Sequence, residues 1–464
     1  MTVPAQNPQT VKQPQMQQQE WFQHLLEDST LADNENLVSL NKFRLSARQS
    51  MKTAPVLNRK QEAWRYNRVD EIFKNNFDLK LDAELKDFSN INEAIIENHQ
   101  LPQLNSLKLV FVNGCFDKAM SNINHLPDGV ILSSIAATLR ENPELLNGWF
   151  KANDKYAEQP FNALNNALFK DGMYLHIGKR VKLDRPIEII YLNSKKTRSL
   201  QHDGSMLLTR NIIHLQAGAS AQLVEYFISK QNNKYFYNNV TEILLAEKAQ
   251  LKHTRIQDES RMAYHLSSLY VSQKKHSKYH SSSFAFGGCW AKTDYKVEFE
   301  AQQSECDLYG LYTVGNQQLI DFHLDVQHSV PSCCSREKFK GLIYGKGRAV
   351  FDGRILVAKQ AQHSDAALTN DNLLLVKDAE VYTKPQLEIY ADDVKCSHGT
   401  TVGRLDPQQV FYLRSRGIDE AHARRMLCQG FSEDVVESVE LEEVRIYLAK
   451  KIASTLNETD QQTV

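Results

Sequence analysis

From about Asp171 to Tyr390 the chain keeps returning to one texture: short apolar or alternating runs broken by Gly, Asn, Asp and Ser. Runs at 173–177, 187–192, 212–215, 222–228, 241–245 and 251–257 are followed by others at 296–299, 310–314, 322–326, 341–344, 353–358, 372–376 and 386–390. Period-2 runs of this length read as strands. No helical segments alternate with them, which disfavours a doubly wound sheet. Many short strands in succession leave a sandwich, a barrel or a β-helix. The stretch is long for one sandwich, and few Asn-Gly or Asp-Gly pairs supply the tight turns that antiparallel hairpins use. A parallel β-helix fits best, although no strict repeat marks the coils.

The flanks differ. Residues 1–19 are rich in Gln and Pro and read as a disordered tail. Residues 20–170 read as a mainly helical domain, with Trp21, Phe22, Leu25 and Leu26 on one face and Leu40, Phe43, Leu45 and Ala47 continuing the pattern. A strand is expected at 107–113, and helices at 132–150 and 161–169. The β core is expected over 171–405 and a helical domain over 406–464. In the latter, Asp406 is a candidate N-cap with Pro407 at the first helical position and Gln409 completing a capping box. Val410, Phe411 and Leu413 supply a buried face, and Gly417 ends the helix. Asp419 caps the next helix, which stops at Gly430, and Ser432 starts a third. The fold class is therefore mainly β: a parallel β-helix core between two helical domains.

Composition removes several function classes. Lys plus Arg is 55 and Asp plus Glu 56, so no overall charge draws the chain to nucleic acid or anionic membrane. No apolar run reaches membrane-spanning length, and no secretory signal pattern opens the chain. Seven cysteines, without Cys-x-x-Cys, give no disulfide framework or zinc-finger signature and fit a cytoplasmic protein. The stretch Tyr344-Gly345-Lys346-Gly347-Arg348 lacks the full phosphate-loop pattern and runs into a strand.

One stretch carries chemistry. In TKPQLEIYADDVKCSHGTTVG, residues 383–403, Cys396 and His398 stand at i and i+2. On a strand they share a face, so thiol and imidazole are neighbours. The acidic pair Asp392-Asp393 marks a bulge or bend just before them. Two ligands do not complete a tetrahedral site. The pair is either a structural thiol beside a hydrogen-bonded imidazole, or a fragment whose other ligands come from elsewhere in the chain or from a partner. Cys333 and Cys334 are adjacent and point to opposite faces, which makes them poor partners for one ion. His276, His280, His323, His328 and His363 are scattered through the β region. Asp321-Phe322-His323 puts a carboxylate and an imidazole on one face, an arrangement that a solvated or hydrogen-bonded pair also explains. A β-helix of this size also admits a carbohydrate-active enzyme or a purely structural protein, the former expecting paired carboxylates in a cleft and a secretion signal.

The run from Thr383 through Met426, with Lys346–Gly353 and Thr369–Leu375 before it, resembles the SufB/SufD scaffold family of the SUF iron–sulfur cluster assembly system. Glu62-Ala63-Trp64-Arg65-Tyr66 and Phe111-Val112-Asn113-Gly114 resemble its N-terminal region, and Tyr390–Gly399 favours the SufD-like branch. The resemblance implies a non-enzymatic scaffold with a right-handed parallel β-helix. It implies pairing with a SufB-like subunit through the β-helices. It implies docking of a SufC-like ABC-type ATPase through the C-terminal helices, where Asp406, Phe411, Tyr412, Arg414, Arg416 and Gly417 are the candidate contacts. No cofactor is expected to be held tightly by the chain alone; a transient iron–sulfur cluster would form at the subunit interface. His398 is the matching interface residue and tentative shared metal ligand, with Cys396 beside it.

Overall fold

The computed structural model describes residues 8–28, 37–79, 89–151, 159–194, 202–315 and 317–461. The N-terminal part contains α1 (Pro8–Asp28), α2 (Val38–Thr53), α3 (Val69–Phe73), the two-residue β1 (Phe77–Asp78) and α4 (Ser89–Asn98). There follow β2 (Leu107–Val112), β3 (Cys115–Phe116), β4 (Val130–Ser134), α5 (Ile135–Glu141) and α6 (Pro160–Leu168). The expected Gln-rich tail overlaps α1, while residues 1–7 lie outside the described residues. Gln18 is buried, and its amide bridges Pro55 and Leu57, so specific partners recover what polarity would otherwise lose to water. The helix expected over 132–150 begins later, because β4 runs through Ser134, whose hydroxyl accepts from Ala137 and caps α5.

From β5 (Met173–Ile177) and β6 (Ile187–Asn193) onward, successive strands alternate between two sheets. Sheet I continues with β7 (Gly204–Leu215), β9 (Tyr235–Leu245), β11 (Tyr264–Gln273), β13 (Trp290–Phe299), β15 (Leu319–His328), β17 (Arg348–Val357) and β19 (Glu380–Ile389). Sheet II continues with β8 (Ser220–Ser229), β10 (Gln250–Asp258), β12 (Lys278–Ala285), β14 (Glu305–Val314), β16 (Cys334–Ile343), β18 (Asp365–Leu374) and β20 (Lys395–Gly403). These strands pair with one another in parallel, only β5 also meeting β4 antiparallel, and the register Trp290↔Leu319↔Arg348 makes one coil 29 residues. This is a parallel β-solenoid, and sheet pairing reaches back before residue 171 through β2 and β4.

Three cores hold the fold. Inward side chains from both sheets fill the lumen, from Leu107 and Ile187 through Tyr279 and Phe322 to Leu368. The N-terminal helices pack on the outer face of sheet I, where α2 contributes Leu40, Phe43, Ala47 and Met51 at helical spacing. Trp21, Phe22, Phe73, Phe161 and Phe236 interlock there, edge to face around Trp21 and Phe22, with Phe161 tilted on Phe236. The outer face of sheet II takes α8 (Glu420–Val436) and α9 (Glu442–Gln461). Such covering decides the strand pattern. β7 is buried on both faces except His214, whereas β18, whose outer face is less covered, alternates over most of its length. Some polar groups inside the lumen are closely partnered: Glu225 accepts from His253 at 2.9 Å and from Arg255 at 3.0 Å. Burial opposes its ionisation, yet those two partners hold its carboxyl down to about 2.

α8 does not stop at Gly430. It continues to Val436, and the Ser432 hydroxyl bonds back to the Cys428 carbonyl instead of capping a new helix. A mid-helix glycine costs about 1 kcal/mol, which the packing of Cys428, Ser432, Val435 and Val436 on the solenoid offsets. Asp434 ties the same helix to Lys338 at 2.9 Å and Lys340 at 2.8 Å of β16.

Candidate functional site

The last coil places Cys396 and His398. Their register partners on β18 are Ala366 and Leu368, both lumen residues, so the pair takes the lumen-facing positions of the final rung. Among the described residues no strand pairs with the outer edge of β19 or β20. The thiol of Cys396 is half-buried against the lumen core, and His398 is exposed. Burial pushes the thiol above its ordinary value, and the charge of Asp365 adds to the effect. An added Cβ at Gly399 or Gly403 would meet nothing within 4 Å, as at an open end. The expected bend at Asp392-Asp393 is the corner between the sheets. It is fastened by the Asp393 backbone N–H donating to Gln362 (2.9 Å) and by the His363–Asp393 ion pair (2.9 Å).

The rung ends in α7 (Pro407–Ser415), joined to β20 by three residues. Asp406 caps it by accepting from the Gln408 amide at 2.8 Å, and Gly417 follows at φ +87°. The buried face expected from Val410, Phe411 and Leu413 is not formed: no residue of α7 is buried, and Phe411 and Tyr412 are 72% and 58% exposed. Helical spacing shows that an apolar face exists but not what covers it. Arg416 stacks over the Tyr412 ring and donates to its hydroxyl, and Arg414 pairs with Glu420 at 3.2 Å. The candidate docking residues therefore share one bare helix beside the final rung.

Elsewhere the structure separates what sequence proximity suggested. Cys333 is buried while Cys334 is half-buried, on opposite faces. His328 is buried against the Ser335 hydroxyl (3.0 Å), and His280 reaches the Ser438 carbonyl (2.8 Å). Tyr344–Gly347 is a corner leading into β17. Asp321 and His323 do meet, at 3.0 Å. Among the described residues, no three His, Cys, Asp or Glu side chains converge on a metal-sized point. Sequence reading missed Glu337, a lumen-facing carboxyl two strands behind the final rung, whose oxygens accept no hydrogen bond among the described residues. Parity could have found it, since Ser335, Glu337 and Phe339 share the buried positions of β16.

The parallel solenoid thus ends in a thiol–imidazole pair on an uncapped last rung. Residues 198–431 match the SufBD core domain of the SUF iron–sulfur cluster assembly system, and residues 15–189 match the SufBD N-terminal region. The chain belongs to the SufBD family of iron–sulfur cluster assembly proteins. Within that family it is similar to the iron–sulfur cluster assembly protein SufD of Escherichia coli, at 28% identity covering 86% of this chain and 89% of the relative. It is also 28% identical to a SufBD family assembly protein of Synechocystis (90% and 92% covered). Protein ABCI7, chloroplastic, of Arabidopsis thaliana is 27% identical (90% and 87% covered).

Proposed function

We propose that the chain is a non-catalytic, SufD-like scaffold subunit that offers half of a cluster-building site. The observation that carries this reading is the final rung. Both broad faces of the solenoid carry helices, but its end leaves a backbone edge, Cys396 and His398 open. An uncovered edge is a template for another strand and is normally blunted or capped. A SufB-like subunit presenting its own solenoid end would cap it and supply the missing ligands. Cluster iron is held chiefly by thiolates, with imidazole as the alternative donor. Half-ligation from each side suits a cluster that is cargo and must leave. His398, more exposed than Cys396, is the donor that reaches across. α7, bare and joined to the same rung, is the docking element for a SufC-like ATPase. A cytoplasmic location follows from that partnership.

Anaerobic co-expression with SufB-like and SufC-like subunits tests the reading. A stable complex that develops cluster absorbance in the visible range supports it. A colourless chain that purifies alone in the presence of both partners, or that cleaves a polysaccharide by itself, overturns it.

A further inference from the structure

The Asp321–His323 pair belongs to a larger constellation on the outer face of sheet I, whereas Cys396 takes a lumen-facing position on sheet II. Register sets Asp294, His323, Asp352 and Lys384 side by side across β13, β15, β17 and β19. Neighbouring parallel strands lie about 4.8 Å apart, so His323 and Asp352 are direct neighbours. The segment carrying Glu62 and Asn67 lies over them, leaving a recess of about 260 Å³ lined by Glu62, Asn67, His323, Asp352 and Lys384.

Three features of the recess point to a cation. Asn67 is 1% exposed. Its Nδ2 donates to Asp321 at 2.9 Å and to the Ala63 carbonyl at 3.3 Å, which leaves the amide oxygen without a hydrogen-bond partner among the described residues. A buried acceptor of this kind costs free energy unless a ligand meets it. Next, Asp321 holds His323 Nε2 at 3.0 Å, so Nδ1 is the nitrogen available to a ligand. A carboxylate behind an imidazole is the recurrent support of a metal-bound histidine, because it fixes the ring and strengthens the donor. Finally, acids outnumber bases. Lys292 serves Asp294 (2.6 Å) and Asp321 (3.4 Å), Lys384 serves Glu62 (2.7 Å) and reaches Asp352 only at 4.0 Å, and Arg65 meets Glu62 at 3.9 Å. Four carboxylates thus face three permanent cations.

We propose that this recess binds a divalent transition-metal ion, with His323, Asp352 and Asn67 as its protein ligands and Asp321 as the group that orients His323. The donor set is one imidazole nitrogen, one carboxylate oxygen and one amide oxygen. That mixture suits Mn²⁺, Fe²⁺ or Zn²⁺ over soft, thiolate-seeking ions. The site stands on its own residues and does not depend on the role of Cys396 or His398.

Mn²⁺ titration of the full chain, followed by the loss of the free-ion EPR signal, tests it, with Zn²⁺ calorimetry in parallel. The chain is expected to take up one equivalent that Asp352→Asn and His323→Gln each abolish or weaken at least tenfold. The Cys396→Ser/His398→Ala double variant should retain it. Asp352→Asn is isosteric, and melting curves of both variants show whether the fold survives; if one fails to fold, the other decides. The proposal is overturned if the chain takes up neither Mn²⁺ nor Zn²⁺, or if uptake is indifferent to the folded variants.

Discussion

Glu337→Gln gives the sharpest quantitative test of the lumen architecture. Glu337 is fully enclosed, and its register partners on β14 and β18 are Leu308 and Leu368. Burial pushes its carboxyl from 4.5 up to about 8, against weaker opposing pulls from Ser335 and Arg336. The folded chain therefore keeps a proton that the unfolded chain releases above 4.5. Stability from this group is highest below 4.5, falls as pH rises through the interval, and levels off above about 8. Each pH unit in the interval is worth about 1.4 kcal/mol, so the group costs about 3 kcal/mol at pH 7 relative to its protonated state. A glutamine of the same shape does not titrate. Urea unfolding of wild type and Glu337→Gln across this range should show a gap that moves in favour of the variant by about 3 kcal/mol up to pH 7 and by about 4 kcal/mol at pH 8, where the folded carboxyl is half ionised. A gap that stays constant over the range would refute a buried, uncompensated carboxyl.

Asp321→Asn should behave oppositely. Burial opposes ionisation of Asp321, but His323 and Lys292 hold its carboxyl down to about 2, so its contribution is present above 3.8 and lost as pH falls toward 2. Removing the charge leaves buried Lys292 to Asp294 alone and weakens the support of His323 and Asn67, which should cost about 1 to 3 kcal/mol in unfolding experiments at neutral pH. Phe411→Ala, on bare α7, should change stability by less than about 0.5 kcal/mol. It should weaken capture of the ATPase by about 2 kcal/mol, roughly thirtyfold, in a pull-down or calorimetric titration. Unchanged affinity would remove α7 from the docking surface.

Much of the fold was legible where one strand face is wet. The run at 322–326 falls inside β15, and the run at 353–358 overlaps the second half of β17 and passes its end by one residue; both keep their parity. β11 and β12 were not legible: YHLSSLYVSQ and KYHSSSFA are rich in Ser and His, and the lumen accepts those groups because Tyr295 bridges Ser281 and Ser283. Strand starts such as Gly204–Arg210 were missed because N-terminal helices cover the outer face and erase the alternation. For the site, parity alone put Cys396 and His398 on one face. It could not say whether that face was lumen or solvent; pairing with Ala366 and Leu368, 30 residues upstream, decides it. The Asn67–Asp321 contact spans 254 residues and leaves no local trace.

His398→Ala in the assembled complex tests most directly whether this side chain acts across the open solenoid end. Subunit stoichiometry and ATPase binding should match the wild-type complex, because an exposed imidazole on an edge strand supports neither folding nor α7 docking. Cluster absorbance after anaerobic reconstitution with iron and a sulfur source should fall to a small fraction of wild type. An intact His398→Ala complex that builds clusters at the wild-type rate would contradict the half-site.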